Sequence, residues 1–108
     1  MIEKKEDGSV IISPSGKLDT LNAPEFSKEL SSILEQKPPK CIVDMGGVSF
    51  LSSSGLQALL LGAKISKKEN ISYVVCAMDE LVREVFTLSG FDRFITVFDT
   101  QEKALENL

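Results

Sequence analysis

The residues in this chain best suited to chemistry are three consecutive serines, Ser52, Ser53 and Ser54, with Gly55 directly after them. They stand between a short apolar stretch and a leucine-rich segment whose apolar residues recur every three or four positions, the spacing of an amphipathic helix. At the beginning of a helix, unpaired backbone N–H groups and the positive end of the helix dipole favour an added anion. The serine run therefore predicts either an acceptor for a phosphoryl group or an ordinary helix cap.

Ser54 is the serine that the spacing places at the N-cap of this helix. Gln57 stands three residues later, which is a capping-box pattern, and Leu56, Leu59 and Leu60 begin the apolar face. A cap needs no further function, so the spacing alone favours the cap over the phosphoryl acceptor. Both interpretations predict that Ser54 lies at the beginning of the second main helix.

Two aspartates follow predicted strands and are expected at the same edge of the sheet. Asp19 lies in the predicted loop of residues 16–22, and Asp44 ends an apolar strand. Because loops after the carboxyl ends of parallel strands cluster together, Asp19 is expected near Ser54. There it would orient the hydroxyl or help to hold a magnesium ion delivered with a nucleotide, or it would simply form a turn. Asp44 is interpreted as structural, accepting backbone N–H groups from the glycine turn that follows it.

The charge and hydropathy of the chain exclude several classes of function. Its 12 basic and 16 acidic residues give a net charge of −4, which argues against binding to the phosphates of nucleic acids or to an anionic membrane surface. No apolar run approaches the roughly 20 residues that span a bilayer, and the charged N-terminus lacks the apolar core of a signal peptide. We therefore expect a cytoplasmic protein that binds neither nucleic acid nor membranes directly.

Catalysis by the chain itself is not expected, and neither is a metal or a cofactor. The sequence contains no histidine, which removes the commonest general base and the commonest zinc ligand. Its glycines form neither a Walker motif with its lysine nor a GxGxxG turn. Cys41 and Cys76 are neither a disulfide framework nor a set of metal ligands. They are predicted at opposite ends of parallel strands, as two buried and reduced thiols.

The elements that must position the serines are predicted in the order β-β-α-β-α-β-α-β-α. Strands that alternate with helices imply right-handed crossovers and a mainly parallel sheet. The fold class is therefore α/β, with one domain over residues 1–108, a mixed, mainly parallel sheet and about four helices packed beside it. The strands are predicted at residues 2–6, 10–12, 41–45, 71–76 and 94–98, and the segments 16–22 and 46–54 are predicted as loops.

Each of the four helices is predicted from its cap and its apolar positions. The second helix is the one that follows the serines. The first follows Asn22 and carries Phe26, Leu30, Ile33 and Leu34 on its apolar face. The third is capped by Asp79 and carries Leu81, Val82, Val85, Phe86 and Leu88, and the fourth follows Asp99 or Thr100 and carries Ala104, Leu105 and Leu108.

The segment 44–56, DMGGVSFLSSSGL, resembles the signature of STAS domains, specifically that of bacterial anti-sigma factor antagonists. In that family the pattern reads Asp-Leu-Ser-x-Val-x-aromatic-hydrophobic-Asp-Ser-Ser/Ala-Gly-hydrophobic. Upstream, the segment 16–19 is similar to the family's Gly-x-hydrophobic-Asp. Length and element order agree over residues 10–97, so the resemblance covers nearly the whole chain and implies a STAS-like domain.

The resemblance implies a small cytoplasmic switch protein rather than an enzyme. Unmodified members bind an anti-sigma factor that is also a GHKL-type serine kinase, and thereby free a sigma factor. The kinase phosphorylates the serine before the signature glycine, which is Ser54 here, and a PP2C-type phosphatase reverses the modification. Asp19 occupies the family's aspartate position beside the acceptor, and Ser52, Ser53 and Gly55 complete the environment of the phosphorylation site.

One position departs from the family pattern. Where the family often has aspartate two residues before the acceptor, this chain has Ser52, which reduces the local negative charge and places three hydroxyls side by side. The alternative function is that of an unmodified STAS binding subunit of another complex, such as a bacterial lipid-transport system. A stand-alone enzyme is a third class, for which the sequence offers no catalytic constellation.

Overall fold

Seven strands and four α-helices make up the computed structural model, which describes residues 1–107. The strands are β1 (Ile2–Lys4), β2 (Val10–Ile12), β3 (Ser15–Leu18), β4 (Lys40–Asp44), β5 (Gly47–Leu51), β6 (Ser72–Cys76) and β7 (Thr96–Phe98). The helices are α1 (Ala23–Glu35), α2 (Ser53–Lys68), α3 (Glu80–Leu88) and α4 (Gln101–Glu106), and a 3₁₀ turn spans Phe91–Arg93.

Five strands form the main sheet in the order β1-β2-β4-β6-β7. β1 and β2 form an antiparallel hairpin, and the other three neighbouring pairs are parallel. The hairpin turns at Asp7-Gly8, where Gly8 adopts a φ of +92° that is readily accessible only to glycine. The predicted α/β class and the mixed, mainly parallel sheet are thus confirmed.

Helices cover the two faces of the main sheet unequally. Alternate strand residues point to opposite faces, so Ile12 and Val43 pack into one apolar cluster while Ile11 and Ile42 pack into another. The first cluster also contains most of the buried apolar side chains of α1, α2 and α3. The second is smaller and is closed by Ala104 of α4. Helix α2, which carries the serines, therefore belongs to the larger of the two layers.

The predicted loops 16–22 and 46–54 are the main error in the sequence interpretation. Parts of them form β3 and β5, which pair in parallel as a separate two-stranded sheet. Their apolar signal is weak because Val48 and Leu51 are buried while the residues between them are exposed, and because the register shifts between Gly16 and Lys17. Pairing with each other, rather than hydrophobicity, makes these segments strands.

Helix α3 buries a narrower face than predicted. Val82 and Phe86 are buried, but Leu81 and Leu88 are 71% and 80% exposed and Val85 is also exposed. Val82 and Phe86 are four residues apart and therefore lie on one face of this short helix, which packs against the core. The other predicted apolar positions lie on the faces that point to solvent. The last strand, predicted to begin at Phe94, begins at Thr96. The backbone N–H of Phe94 instead donates to the carbonyl of Phe91 and closes the 3₁₀ turn.

The predicted caps of α3 and α4 are confirmed. The Asp79 carboxylate accepts the backbone N–H of Val82 at 2.8 Å, and Thr100 rather than Asp99 caps α4 by accepting the N–H of Lys103. Leu105 is exposed, and Leu108, predicted on the same helix, lies outside the described residues. None of the helices within residues 1–107 combines the length and apolarity needed to cross a membrane.

Both cysteines are free and buried, as predicted. In the parallel pair β4 and β6, Cys41 lies opposite Tyr73 while Cys76 lies opposite Asp44, so the two thiols stand at opposite ends of the pair. Burial raises the pKa of each thiol to about 12 from the ordinary value of 9.0. A buried thiol stays neutral and does not react as a thiolate at moderate pH.

We therefore expect no reaction of the native protein with a thiol reagent at pH 8, and reaction of both Cys41 and Cys76 in denaturant. Because the folded thiols have raised pKa values, they favour folding fully below pH 9 and progressively less as the pH rises toward 12. Thiol titration with and without denaturant, and urea unfolding at pH 8 and pH 10, measure the two effects. Rapid labelling of the native protein at pH 8 would contradict the burial.

Candidate functional site

The helix that carries the serines begins two residues earlier than predicted, and its N-cap is Ser52 rather than Ser54. Ser52 has an extended backbone, and its Oγ accepts the N–H of Gly55 at 3.4 Å. The same hydroxyl donates to the carbonyl oxygen of Leu18 at 3.0 Å, and so does the backbone N–H of Ser52. The end of β3 thus determines where α2 begins, which the spacing of Gln57 could not indicate.

Ser54 is the second residue of α2 and lies in its first turn. Its Oγ is 3.3 Å from Oγ1 of Thr20, and the side chain is half-buried. The first amides of a helix have no intrahelical acceptor, and Ser52 satisfies only that of Gly55. The hydroxyl of Ser54 therefore stands at the end of α2 that favours a negative charge.

Ser53 differs from both of its neighbours. It is exposed, and its hydroxyl forms no hydrogen bond with any of residues 1–107. The three adjacent hydroxyls thus have three different environments. The Ser52 hydroxyl caps α2 and donates to β3. The Ser53 hydroxyl faces solvent, and the Ser54 hydroxyl contacts the loop after β3.

Asp19 lies in the loop that contacts the serines, as the clustering of loops predicted. Its Oδ1 accepts the backbone N–H groups of Leu21 and Asn22 at 3.1 and 3.0 Å, so this oxygen forms the turn that leads into α1. The residues on either side of Asp19 carry the contacts to the serine run: the Leu18 carbonyl to Ser52, and the Thr20 hydroxyl to Ser54. Within residues 1–107, the Asp19 carboxylate forms no direct hydrogen bond with a serine.

Thr20 is the residue of this site that the sequence interpretation missed. Its signal was its position directly after Asp19, in a loop already expected to face the serines. Asn22, predicted to cap α1, forms no side-chain cap and instead donates to the carbonyl of Lys17 at 3.1 Å. Asp19 instead stabilises the turn that precedes α1, where its Oδ1 accepts the N–H groups of Leu21 and Asn22.

Gly55 is required by the close approach of α2 to β3 and β5. A Cβ at this position would lie 2.6 Å from the carbonyl oxygen of Leu18 and 2.7 Å from Cδ1 of Leu51. Atoms at those distances overlap, and one of them belongs to the backbone and cannot rotate away. The glycine after the serines therefore lets the helix begin against the two-stranded sheet.

A groove of about 450 Å³ between α1 and α2 adjoins Ser54. Pro24 and Ser27 line one side, and Gln57, Leu61 and Lys64 line the other. Large apolar side chains are exposed on the segments that adjoin the serines, with Leu21 85% exposed, Phe50 50% and Leu61 42%. This mixture of apolar side chains, neutral polar side chains and one cation, Lys64, around a hydroxyl is typical of a protein-binding surface.

Asp44 has the structural role predicted for it. Its Oδ1 accepts the N–H of Gly46 at 2.8 Å, and its Oδ2 accepts Nε2 of Gln101 at 2.7 Å. The carboxylate thus joins the turn after β4 to helix α4, away from the serines. Within residues 1–107, no group of three or more cysteines, aspartates and glutamates is arranged to hold a metal ion.

The two interactions of Ser52 predict a measurable contribution to stability. We expect Ser52→Ala to lower the free energy of unfolding by about 1–2 kcal/mol, because it removes a helix cap and leaves the Leu18 carbonyl with fewer donors. Ser53→Ala, in the same turn, is the matched control and should change stability by less than about 0.5 kcal/mol. Urea unfolding measures both, and equal losses would contradict the assignment of the cap.

The chain is similar in sequence to a family of known domains and to several of its members. A family model for the STAS domain matches residues 1–104 of the chain. BtrV from Bordetella bronchiseptica, whose name describes an anti-sigma factor antagonist, is 32% identical over 100 residues, which are 93% of this chain and 86% of BtrV. The anti-sigma-F factor antagonist RsfB from Mycobacterium tuberculosis is 27% identical over 101 residues, covering 92% of this chain and 80% of RsfB.

Solved structures show the same similarity in three dimensions. The crystal structure of an anti-sigma factor antagonist from Mycobacterium paratuberculosis superposes with a TM-score of 0.90 at 28% identity. The superposition covers 98% of this chain and 89% of that one. The arrangement of strands and helices described above is therefore shared over essentially the whole chain.

Proposed function

The chain belongs to the STAS domain family, and we propose that it is an anti-sigma factor antagonist whose binding is controlled by phosphorylation of Ser54. In its unmodified form it binds, in the cytoplasm, an anti-sigma factor that is also a GHKL-type serine kinase, and so releases a sigma factor. The kinase transfers the γ-phosphoryl group of ATP to Oγ of Ser54. A new O–P bond forms, the bond to ADP breaks and the hydroxyl proton is released. A PP2C-type phosphatase then hydrolyses the phosphoserine.

The observation that carries the proposal is the different environment of the three hydroxyls. Ser52 donates to β3 and caps α2, so its Oγ would have to break two interactions before it could accept a phosphoryl group. Ser54 has a single exposed contact, with Thr20, and stands among amides that a phosphate can use. This difference supports Ser54 as the acceptor.

The departure from the family pattern at Ser52 is compatible with this function. Aspartate and serine are both strong N-cap residues, and the Ser52 hydroxyl accepts the Gly55 amide as a cap must. What the substitution removes is one negative charge close to the acceptor. The kinase partner of this chain should therefore depend less on a carboxylate here and more on Asp19, whose Oδ2 has no hydrogen bond within residues 1–107.

Electrostatics supports phosphorylation as an off-switch for binding. A phosphoserine carries about −1.5 to −2 charge at neutral pH, and it would be added to a chain with a net charge of −4. The groove beside Ser54 is lined by apolar and neutral polar side chains and by one cation, Lys64, so it suits a partner surface that is largely uncharged. Desolvating a phosphate against such a partner costs binding energy, and each loss of about 1.4 kcal/mol weakens affinity tenfold.

Binding of the anti-sigma factor by charged and neutral variants of Ser54 tests the proposal. We expect Ser54→Asp to weaken binding by about tenfold or more. A buried unpaired charge or a like-charge contact at an interface costs at least the binding free energy that corresponds to a tenfold loss of affinity. Ser54→Asn, which has nearly the same size but no charge, is the matched control and should retain more of the affinity. The measurement is isothermal titration calorimetry with the anti-sigma factor encoded nearest to this chain's gene.

Equal affinities of the Asp and Asn variants would show that charge at position 54 does not control binding. Together with an absence of phosphorylation by any neighbouring kinase, that result would favour the alternative function, a STAS subunit that binds its complex without modification.

A further inference from the structure

A second groove lies toward the other end of helix α2, away from the serines. It has a volume of about 610 Å³ and is bounded by α2 on one side and by the 3₁₀ turn and its following residue on the other. Its residues include Leu60, Lys64 and Lys67 of α2, Tyr73 of β6, and Arg93 with Phe94. Small-molecule sites in proteins have volumes of about 300–1,000 Å³, so the groove is large enough to hold a ligand.

The groove combines an apolar interior with unpaired positive charge. Leu60 and Tyr73 contribute apolar surface, and Phe94 is a 71% exposed aromatic ring at its edge. Within residues 1–107, neither Lys64, Lys67 nor Arg93 forms an ion pair, and no carboxylate lines the groove. In a chain with more acidic than basic residues, three unpaired cations around one apolar groove form a local positive site.

An unpartnered hydroxyl lines the same groove. Ser66 is 1% exposed, and its Oγ has no hydrogen-bond partner. Buried hydroxyls are normally paired, so an unpaired one is unusual. The hydroxyl of Tyr73, by contrast, donates to the carbonyl of Leu59 at 3.0 Å. Ser66 is therefore a buried, unpaired polar group in the wall of the groove.

We propose that this groove binds a single-chain amphiphile with an anionic head, of the chemical class of a fatty-acid carboxylate. The acyl chain would lie along Leu60, Tyr73 and Phe94, and the carboxylate would contact Arg93 and the two lysines. Arginine is suited to this contact because its guanidinium can bind a carboxylate through two hydrogen bonds. A peptide fits less well, since its backbone N–H and C=O groups would need partners that the apolar interior does not supply.

The proposed site goes beyond the phosphorylation switch and does not depend on it. Leu60 and Lys64 also line the groove beside Ser54, so the two grooves share a wall. The ligand is nevertheless proposed from the second groove alone. A direct binding measurement therefore tests it whether or not Ser54 is phosphorylated.

Tyr73 provides the means of detection. It is the only tyrosine in a chain without tryptophan, so fluorescence excited near 280 nm reports on this groove. We expect decanoate, kept below its critical micelle concentration, to change the emission of the full chain in a saturable way. Decyltrimethylammonium, with the same chain length and the opposite charge, should give no saturable change, and neither should butyrate, which has the head without the long chain.

Variants distinguish a built site from general adsorption. The triple variant Lys64→Gln, Lys67→Gln, Arg93→Gln should bind decanoate about tenfold more weakly, because it removes all three proposed contacts to the carboxylate head. Lys68→Gln removes one positive charge from the residue of α2 next to Lys67. Because Lys68 does not line the groove, this variant should bind decanoate like the original chain. Circular dichroism confirms that each variant is folded.

Three results would overturn the proposal. Decanoate and decyltrimethylammonium binding equally well would mean that the groove recognises only the acyl chain. Unchanged decanoate affinity in the triple variant would mean that the cations do not contact the head. Cosedimentation with phosphatidylglycerol vesicles without any binding of decanoate would mean that the positive site contacts a membrane surface rather than a free amphiphile.

Discussion

Ser54→Ala is expected to abolish the incorporation of phosphate when the chain is incubated with its kinase and ATP. The reason is that the three adjacent serine hydroxyls at the beginning of α2 differ in their hydrogen-bond partners and their exposure. Ser54 has one exposed contact, with Thr20, whereas Ser52 forms two hydrogen bonds that support the beginning of the helix. Ser53 is exposed but has no contact with the Asp19 loop. Ser54 is the serine whose hydroxyl has a single, exposed contact and also lies against that loop.

Single variants of the neighbouring serines provide the controls for this prediction. Ser53→Ala should be phosphorylated like the original chain. Ser52→Ala should still be phosphorylated at Ser54, although its weaker helix end is expected to reduce the rate. Intact-mass spectrometry after incubation measures incorporation, and peptide mapping locates the phosphate. Full incorporation into Ser54→Ala would show that the acceptor has been assigned to the wrong serine.

Gly55→Ala is expected to be the most destabilising single substitution in the site. The added Cβ would lie 2.6 Å from the Leu18 carbonyl oxygen and 2.7 Å from Cδ1 of Leu51. Overpacking of this kind costs about 1–3 kcal/mol, and a backbone oxygen cannot yield by rotating. Alanine gains at most about 1 kcal/mol over glycine from helix propensity. We therefore expect a net loss of about 2 kcal/mol in the free energy of unfolding.

Urea unfolding measures this loss, and Ser53→Ala is the control for the same turn of the helix. The clash should also push the beginning of α2 away from β3, since the Leu18 carbonyl holds both Ser52 and the helix end. Hydrogen exchange of the first-turn amides should therefore become faster in Gly55→Ala. Equal stability of Gly55→Ala and the original chain would contradict the close approach of α2 and β3.

The parts of the fold that could be predicted from the sequence are those that burial patterns specify. The apolar run from Cys41 to Val43 and the i, i+4 pair of Val82 and Phe86 indicate their elements directly, because each is buried in the observed core. The separation of Cys41 and Cys76 could also be predicted, because Cys41 lies near the beginning of one strand and Cys76 ends a parallel neighbouring strand.

The parts that were predicted wrongly depend on long-range backbone contacts. β3 and β5 are strands because they pair with each other, although their residues are mostly exposed. Ser52 caps α2 because the Leu18 carbonyl lies beside it, a contact between residues 34 positions apart. Spacing along the chain cannot reveal such contacts. It therefore identified the serine run and its loop partner, but not which of the three serines caps the helix.

The most direct measurement of the proposed switch is the affinity of the anti-sigma factor for one preparation of the chain before and after phosphorylation by its kinase. Calorimetric titration of both forms, with the phosphate located at Ser54 by peptide mapping, uses the modification itself rather than a substitute. We predict at least about a tenfold loss of affinity on phosphorylation, recovered after treatment with the phosphatase. Equal affinities of the two forms, with Ser54 fully phosphorylated, would contradict the switch.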